Sequence, residues 1–189
     1  MKLTVPTMIT LLRIVLIPVL VLVFYLPFKW TNVAAAAIFA FASLTDWLDG
    51  WIARRYNQFS TFGAFLDPVA DKLMVAIALM LTVQKHPTVW MTLWAAVIIG
   101  REIAVSALRE WMAEVGQRAK VKVAGIGKIK TIVQMVALVC LLYQERFLGL
   151  PIFLIGEWLL AAAALLTLWS GMAYLRAAWP TLLADENNS

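Results

Sequence analysis

Four aspartates and an arginine recur at helical spacing in an otherwise oily stretch of chain: Asp46-Trp47-Leu48-Asp49-Gly50-Trp51-Ile52-Ala53-Arg54 and, eight residues on, Gly63-Ala64-Phe65-Leu66-Asp67-Pro68-Val69-Ala70-Asp71. Hard oxygen ligands on short side chains suit Mg²⁺ or Mn²⁺, and four negative charges balance two divalent ions. Two such ions about 3.5–4 Å apart clamp phosphoryl oxygens and neutralise charge on a leaving group. The chemistry implied is substitution at a phosphate.

At 100° per residue, Asp46, Asp49 and Ala53 fall on one narrow stripe of a helix with Gly50 beside it, and Gly63, Asp67 and Asp71 form a second stripe. The turn from Arg55 to Thr61 folds the two helices into a hairpin whose stripes can face each other. At 1.5 Å per residue, Asp46 lies about 12 Å below Arg54 and Asp71 at a similar depth below Gly63, so all four carboxylates can share one pocket. An aspartate at mid-span costs about 2.5–3.5 kcal/mol, and Asp46 and Asp49 sit toward the negative end of their helix. A cation or protonation is therefore required.

The neighbours of the carboxylates admit two readings each. Gly50, Ala53 and Gly63 either let membrane helices approach closely or open bare backbone to a nucleotide or diphosphate. Arg54 is either an interface anchor or a phosphate contact. Asp67 could instead be the N-cap of a helix beginning at Pro68, which leaves Asp71 unexplained.

The elements that must position these groups are membrane helices. The chain of 189 residues is 63% hydrophobic with a mean hydropathy of +0.84, far above a soluble domain. Apolar runs of spanning length recur six times: Met8 to Phe28, Asn32 to Arg54, Phe62 to Gln84, Thr88 to Arg109, Gly127 to Tyr143 and Ile152 to Ala178. They lack the alternation of barrel strands, so the prediction is an all-α polytopic membrane protein, a six-helix bundle with its active site at the cytoplasmic side.

Lys29, Lys85 and Arg146 are the basic residues of the loops on one side, whereas Lys2, Arg54, Arg55, Arg109, Arg118, Lys120, Lys122, Lys128, Lys130 and Arg176 gather on the other. The second side is expected to be cytoplasmic, with both termini inside, in a bacterial inner membrane. The net charge of +5 then belongs to one membrane face and points to anionic lipid or a phosphorylated substrate, not to nucleic acid. The first run is too long for a signal-peptide core and no small-residue cleavage site follows, so the first helix is expected to be retained. Short loops without internal repeats predict a single domain over residues 1–189. Cys140 is read as a small core residue. Trp30, Trp90 and Trp158 near one interface and Trp51, Trp111 and Trp179 near the other fit aromatic belts.

The pattern Asp46-x2-Asp49-Gly50-x2-Ala53-Arg54-x8-Gly63-x3-Asp67-x3-Asp71 resembles, at every fixed position, the signature of the CDP-alcohol phosphatidyltransferase family. The resemblance covers essentially the whole chain through Val5-Pro6-Thr7-Met8-Ile9-Thr10-Leu11-Leu12-Arg13, Arg101-Glu102-Ile103, Ser106-Ala107-Leu108-Arg109-Glu110-Trp111 and Ile126-Gly127-Lys128-Ile129-Lys130-Thr131. It implies a six-helix enzyme, usually a homodimer among membrane lipids, that binds CDP-diacylglycerol through its cytidine diphosphate and two metal ions. On this resemblance Asp46, Asp49 and Asp67 ligate metal, and Asp71 both ligates metal and deprotonates the acceptor hydroxyl. Gly50, Ala53, Arg54 and Gly63 then line the nucleotide site, and Thr10 and Arg13 offer a headgroup or nucleotide contact.

The implied acceptor is sn-glycerol 3-phosphate, with CMP as the leaving group; serine, inositol phosphate and phosphatidylglycerol are the rival acceptors. A phosphorylated acceptor needs an anion site, for which Arg101, Arg109, Lys128 and Lys130 are the candidates. Glu102, Ser106 and Arg109 share a helix face, and Lys72 points about 100° away from Asp71, where it either snorkels or pairs elsewhere. A divalent-cation transporter is the competing class. It would place its carboxylates near the bilayer midplane, on broken helices and in repeated halves, and the sequence shows none of these.

Overall fold

The computed structural model describes residues 4–56, 60–116 and 125–186. Six helices follow one another: α1 (Val5–Phe24), α2 (Thr31–Tyr56), α3 (Thr61–Lys85), α4 (Val89–Glu114), α5 (Gly125–Tyr143) and α6 (Ile152–Glu186). They overlap the six apolar runs, but α1 begins before Met8 and stops short of Phe28, and α4 and α6 continue past the ends expected from hydropathy. Length and composition qualify three segments as membrane spans: Thr7–Phe24, Val89–Glu114 and Ile152–Thr181.

Helix ends follow local chemistry. Thr4 precedes α1, whose first turn holds a proline, where the missing N–H has no intrahelical partner to lose. Ser60 caps α3 by accepting from the Gly63 N–H at 2.9 Å, and Thr88 caps α4 by accepting from the Met91 N–H at 3.1 Å. Since α3 begins at Thr61 and runs through Pro68, Asp67 lies inside a helix, which rules out its reading as an N-cap. Pro68 cannot donate to the Ala64 carbonyl, so the ladder lacks one bond in the turn that carries Asp67. A small hairpin absent from the sequence expectations joins α5 to α6: strands β1 (Arg146–Phe147) and β2 (Leu150–Pro151) pair antiparallel. Its turn residues Leu148 and Gly149 have φ of 51° and 82°, as a type I′ turn requires.

The packing centres on α1, which contacts both α2 and α3, and on α5, which contacts α6, α2 and α3; α4 closes against α6 and α3. The main apolar core joins Leu20, Phe39, Leu79, Ile98, Leu138 and Leu160, all fully buried. The outer face is apolar as well: Leu22, Trp158 and Trp169 are about 70% exposed. Meanwhile Thr7, Thr10, Arg13, Lys130 and Gln134 are buried. Oily residues outside and polar ones inside mark an all-α membrane protein. Cys140 sits at the α5–α6 seam, where Gly156 brings the two helices together.

A Cβ on Gly156 would lie 2.9 Å from Leu141 Cγ and 3.1 Å from the Leu141 backbone nitrogen, whereas one on Gly100 would meet nothing within 4 Å. Gly156→Ala should therefore destabilise the bundle by about 1–3 kcal/mol through overpacking. Gly100→Ala should leave it unchanged or slightly more stable, since alanine favours helix. Thermal unfolding of both variants in detergent checks the contrast.

Candidate functional site

The carboxylates meet across α1. Expected to face each other across a two-helix hairpin, α2 and α3 touch only sparsely, and α1 lies between their charged stretches. Arg13, 2% exposed, is the only charged residue of α1. Its NH1 donates to Asp46 Oδ1, and its NH2 reaches Asp67 Oδ1 at 3.4 Å. One turn earlier, Thr10 Oγ1 donates to the same Asp67 oxygen. The cation that two embedded carboxylates demand is thus supplied in part by the chain itself. Both carboxylates keep 41% side-chain exposure, so oxygens remain open beyond the arginine.

Gly63 makes this approach possible. A Cβ there would fall 2.8 Å from Thr7 Oγ1 and 2.9 Å from Ser60 Oγ. Thr7 and Ser60 hydrogen-bond at 2.8 Å, tying the start of α1 to the cap of α3. Of the two readings of Gly63, close helix approach is the one its surroundings display.

Asp71 stands apart from this cluster. Among the described residues it makes no hydrogen bond or ion pair, and it borders a cavity of about 350 Å³ between α3, α4 and α5. Lys72, Glu102, Lys130 and Gln134 share that cavity. Glu102 ties the far wall together by accepting from Lys130 Nζ, with Arg101 NH1 at 3.6 Å. Lys72 Nζ donates to Ser106 Oγ, the separate partner that its 100° offset from Asp71 demands.

Of the four cations considered for an anion site, the three whose side chains are described do not converge. Lys130 lines the Asp71 cavity, but Arg101 and Arg109 turn toward α6. Arg101 donates to Ser170 Oγ at 2.6 Å and the Thr167 carbonyl at 3.2 Å, and borders a wider, mainly apolar groove between α4 and α6. Arg109 donates to Tyr174 Oη at 2.5 Å with its guanidinium 4.8 Å from that ring's centroid. The face expected to unite Glu102, Ser106 and Arg109 therefore divides, the first two addressing α5 and α3 and the third α6.

Asp49, Gly50, Ala53, Arg54 and Lys128 have helical backbone, but their side chains lie outside the described residues, as do Arg118, Lys120 and Lys122 altogether. Among the described residues no three acidic, histidine or cysteine side chains are grouped tightly enough to hold a metal ion. The donor chemistry nevertheless suits one, because Asp46 and Asp67 turn hard, partly open oxygens toward a common point. Two polar residues of this region had not been singled out: Gln134, a lone amide in the apolar run of α5, and Tyr174, the partner of Arg109. An amide inside a span is the signal that could have found the first.

Helices with an apolar exterior and a charged interior carrying carboxylates on α2 and α3 define a membrane protein with a buried acidic centre. The family model for CDP-alcohol phosphatidyltransferase matches residues 3–169, and the chain belongs to that family. It is 56% identical to a CDP-diacylglycerol–glycerol-3-phosphate 3-phosphatidyltransferase of Pseudomonas fluorescens, over 96% of this chain and 93% of the relative. Proteins of the same name from Salmonella choleraesuis and Escherichia coli K12 are each 52% identical, over 97% of this chain and 99% of the relative.

Arg13→Met should strand Asp46 and Asp67 without their shared counter-charge. The penalty should be about 1–3 kcal/mol, below that of a fully buried pair because the carboxylates are partly solvated. Adding Asp46→Asn should restore part of that stability, and a double-mutant cycle on thermal unfolding measures the coupling.

Proposed function

We propose that this chain transfers the phosphatidyl group of CDP-diacylglycerol to sn-glycerol 3-phosphate, releasing CMP and leaving phosphatidylglycerophosphate in the membrane. One observation carries this reading: relatives that share more than half of their residues with the chain, from end to end, bear that activity in their names. The eight signature positions from Asp46 to Asp71 are all present, and beside the carboxylate cluster lies a cavity lined by Asp71 and Lys130.

In this reaction the acceptor hydroxyl attacks the phosphorus that carries diacylglycerol, a new P–O bond forms, and the bond to CMP breaks with its electron pair leaving on CMP. Asp71 takes the hydroxyl proton. It is suited to that task because Asp46 and Asp67 are engaged by Arg13, while Asp71 faces the cavity without a described partner. Asp46, Asp49, Asp67 and Asp71 are the residues that would hold two divalent ions, Mg²⁺ or Mn²⁺. When bound, such ions polarise phosphoryl oxygens and offset charge on the leaving group. Arg13 and Thr10 fix the separation of Asp46 and Asp67. Gly50, Ala53 and Arg54 line the nucleotide side.

Lys130 binds the acceptor phosphate, with Lys128 near it on the same helix; Arg101 and Arg109 add positive potential from the α6 side. The fully buried stripe of α5 below Lys130 keeps this cation in a medium where its charge is little screened.

All six helices span the membrane in this proposal, with the site and both termini on the cytoplasmic side of a bacterial inner membrane. The helix lengths support it, since 19 residues of α5 already reach about 28 Å, close to the thickness of the hydrocarbon core. The chain acts as one domain and as a homodimer.

Purified protein in detergent-lipid micelles should release CMP from CDP-diacylglycerol only when sn-glycerol 3-phosphate and Mg²⁺ or Mn²⁺ are present, and a chelator should stop it. Serine or inositol phosphate should not substitute; release with either in place of glycerol phosphate would overturn the acceptor assignment. Asp71→Asn should lower kcat about 10²–10⁴-fold while CDP-diacylglycerol still binds. Equal loss of binding and turnover would reduce Asp71 to a ligand. Lys130→Gln should raise KM for glycerol phosphate more than for CDP-diacylglycerol.

A further inference from the structure

A buried amide oxygen without a partner is uncommon, because leaving one unmade costs more than a satisfied bond returns. Gln134 is such a case. It is 3% exposed in the middle of α5, and its Oε1 has no hydrogen-bond partner among the described residues. A glutamine inside an apolar helix is itself costly, so its position calls for a group that visits it.

Gln134 follows Lys130 by one helical turn, about 6 Å along the axis, and both line the cavity that Asp71 borders from α3. The cavity is lined by Asp71, Lys72, Glu102, Lys130, Thr131 and Gln134 among apolar side chains such as Val75, Ile99 and Met135; Lys72 is engaged by Ser106 and Glu102 by Lys130, which leaves Asp71 and the Gln134 oxygen without a hydrogen-bond partner among the described residues. Lys130 is a cation suited to a phosphate, Asp71 a carboxylate suited to an attacking hydroxyl, and Gln134 an amide oxygen that can only accept. The proposed acceptor has three matching groups: a phosphate, a terminal hydroxyl and a second hydroxyl on its middle carbon. Only the last lacks a partner when the first two are assigned.

We infer that Gln134 is a specificity-determining residue whose side-chain oxygen accepts a hydrogen bond from the middle-carbon hydroxyl of the acceptor. The inference rests on the phosphatidyl transfer proposed above and extends it: the site selects polyol phosphates with a free hydroxyl next to the reacting carbon. An acceptor without that hydroxyl leaves the amide oxygen unpaired, and discrimination by a missing hydroxyl exceeds what an apolar pocket achieves by size.

The test compares sn-glycerol 3-phosphate with 3-hydroxypropyl phosphate, which has the same chain and phosphate but no middle hydroxyl, by CMP release in the full-length protein. The wild type should prefer glycerol phosphate about 10- to 100-fold in kcat/KM. Gln134→Met, similar in length but without the acceptor oxygen, should bring the two acceptors within about threefold of each other, mainly by loss on glycerol phosphate. Gln134→Glu keeps an acceptor oxygen and should retain the preference even though its charge weakens both phosphates, so the inference stays decidable if the methionine variant fails to fold. A wild type indifferent to the missing hydroxyl overturns the inference, as does a methionine variant in which both acceptors fall together. No CMP from either acceptor with the wild type would overturn it along with the reaction on which it rests, whereas CMP formation at an unaltered ratio overturns it alone.

Discussion

Two carboxylates on different helices share one guanidinium, and the bundle is arranged around that contact. Asp46 and Asp67 lie on chain segments that repel one another electrostatically, and in a medium of low dielectric such repulsion would separate α2 from α3. Arg13 reverses its sign. Because the guanidinium is planar, permanently charged and forked, one side chain can address both carboxylates, which the single point charge of lysine does less well. It does so from the middle of three helices, which is why α1 packs on both members of a pair that scarcely touch each other. The contact also needs α1 and α3 to run close together near Gly63, where Thr7 and Ser60 hydrogen-bond in the space a Cβ would fill.

Several charged residues elsewhere among the described ones are likewise held by an element opposite. Lys130 answers Glu102, Lys72 answers Ser106, and Arg109 lies on Tyr174. These contacts divide α4 by face, with Glu102 and Ser106 toward α5 and α3 and Arg101 and Arg109 toward α6. Gly171 leaves room for Arg101, whose Cγ would stand 3.3 Å from a Cβ at that position. The side chain consequently lies flat along α6, where its donors find Ser170 and the Thr167 carbonyl.

Hydropathy was enough to locate the six helices, because long apolar runs without strand-like alternation read as helix. The carboxylate stripes were legible from helical periodicity, and the membership of the chain in its family from their spacing. What periodicity could not show is which helix lies between the stripes. It reports the direction a side chain takes from its own axis, not the identity of the neighbour it meets. Arg13 was visible as a charge at the start of α1, yet its role depends on contacts separated by 33 and 54 residues in the sequence. The division of α4 was hidden for the same reason: Glu102 and Arg109 share a face by arithmetic, but the partners that settle their orientation lie on α5 and α6. The β-hairpin escaped notice because two-residue strands have no periodicity to read.

The position of Asp71 follows from α3 acting as a ruler. Asp67 and Asp71 are one turn apart, about 6 Å along the axis, on one side of a continuous helix. Asp67 belongs to the cluster gathered by α1, and Asp71 to the cavity shared with α4 and α5. In the proposed reaction the first of these environments receives the diphosphate and the second receives the acceptor. The helix therefore holds the two substrates' sites at a fixed offset without any loop to adjust between them, and near-attack geometry depends on such rigidity. Pro68, next to Asp67, leaves the Ala64 carbonyl without its helical donor, so the one bond missing from that ruler lies in the turn ahead of the Asp67–Asp71 segment. The separation of the charges has a further consequence. Because Arg13 is engaged by Asp46 and Asp67, and Lys130 by Glu102, Asp71 keeps a carboxylate with no hydrogen bond among the described residues, and in the proposed reaction that carboxylate receives the acceptor's proton.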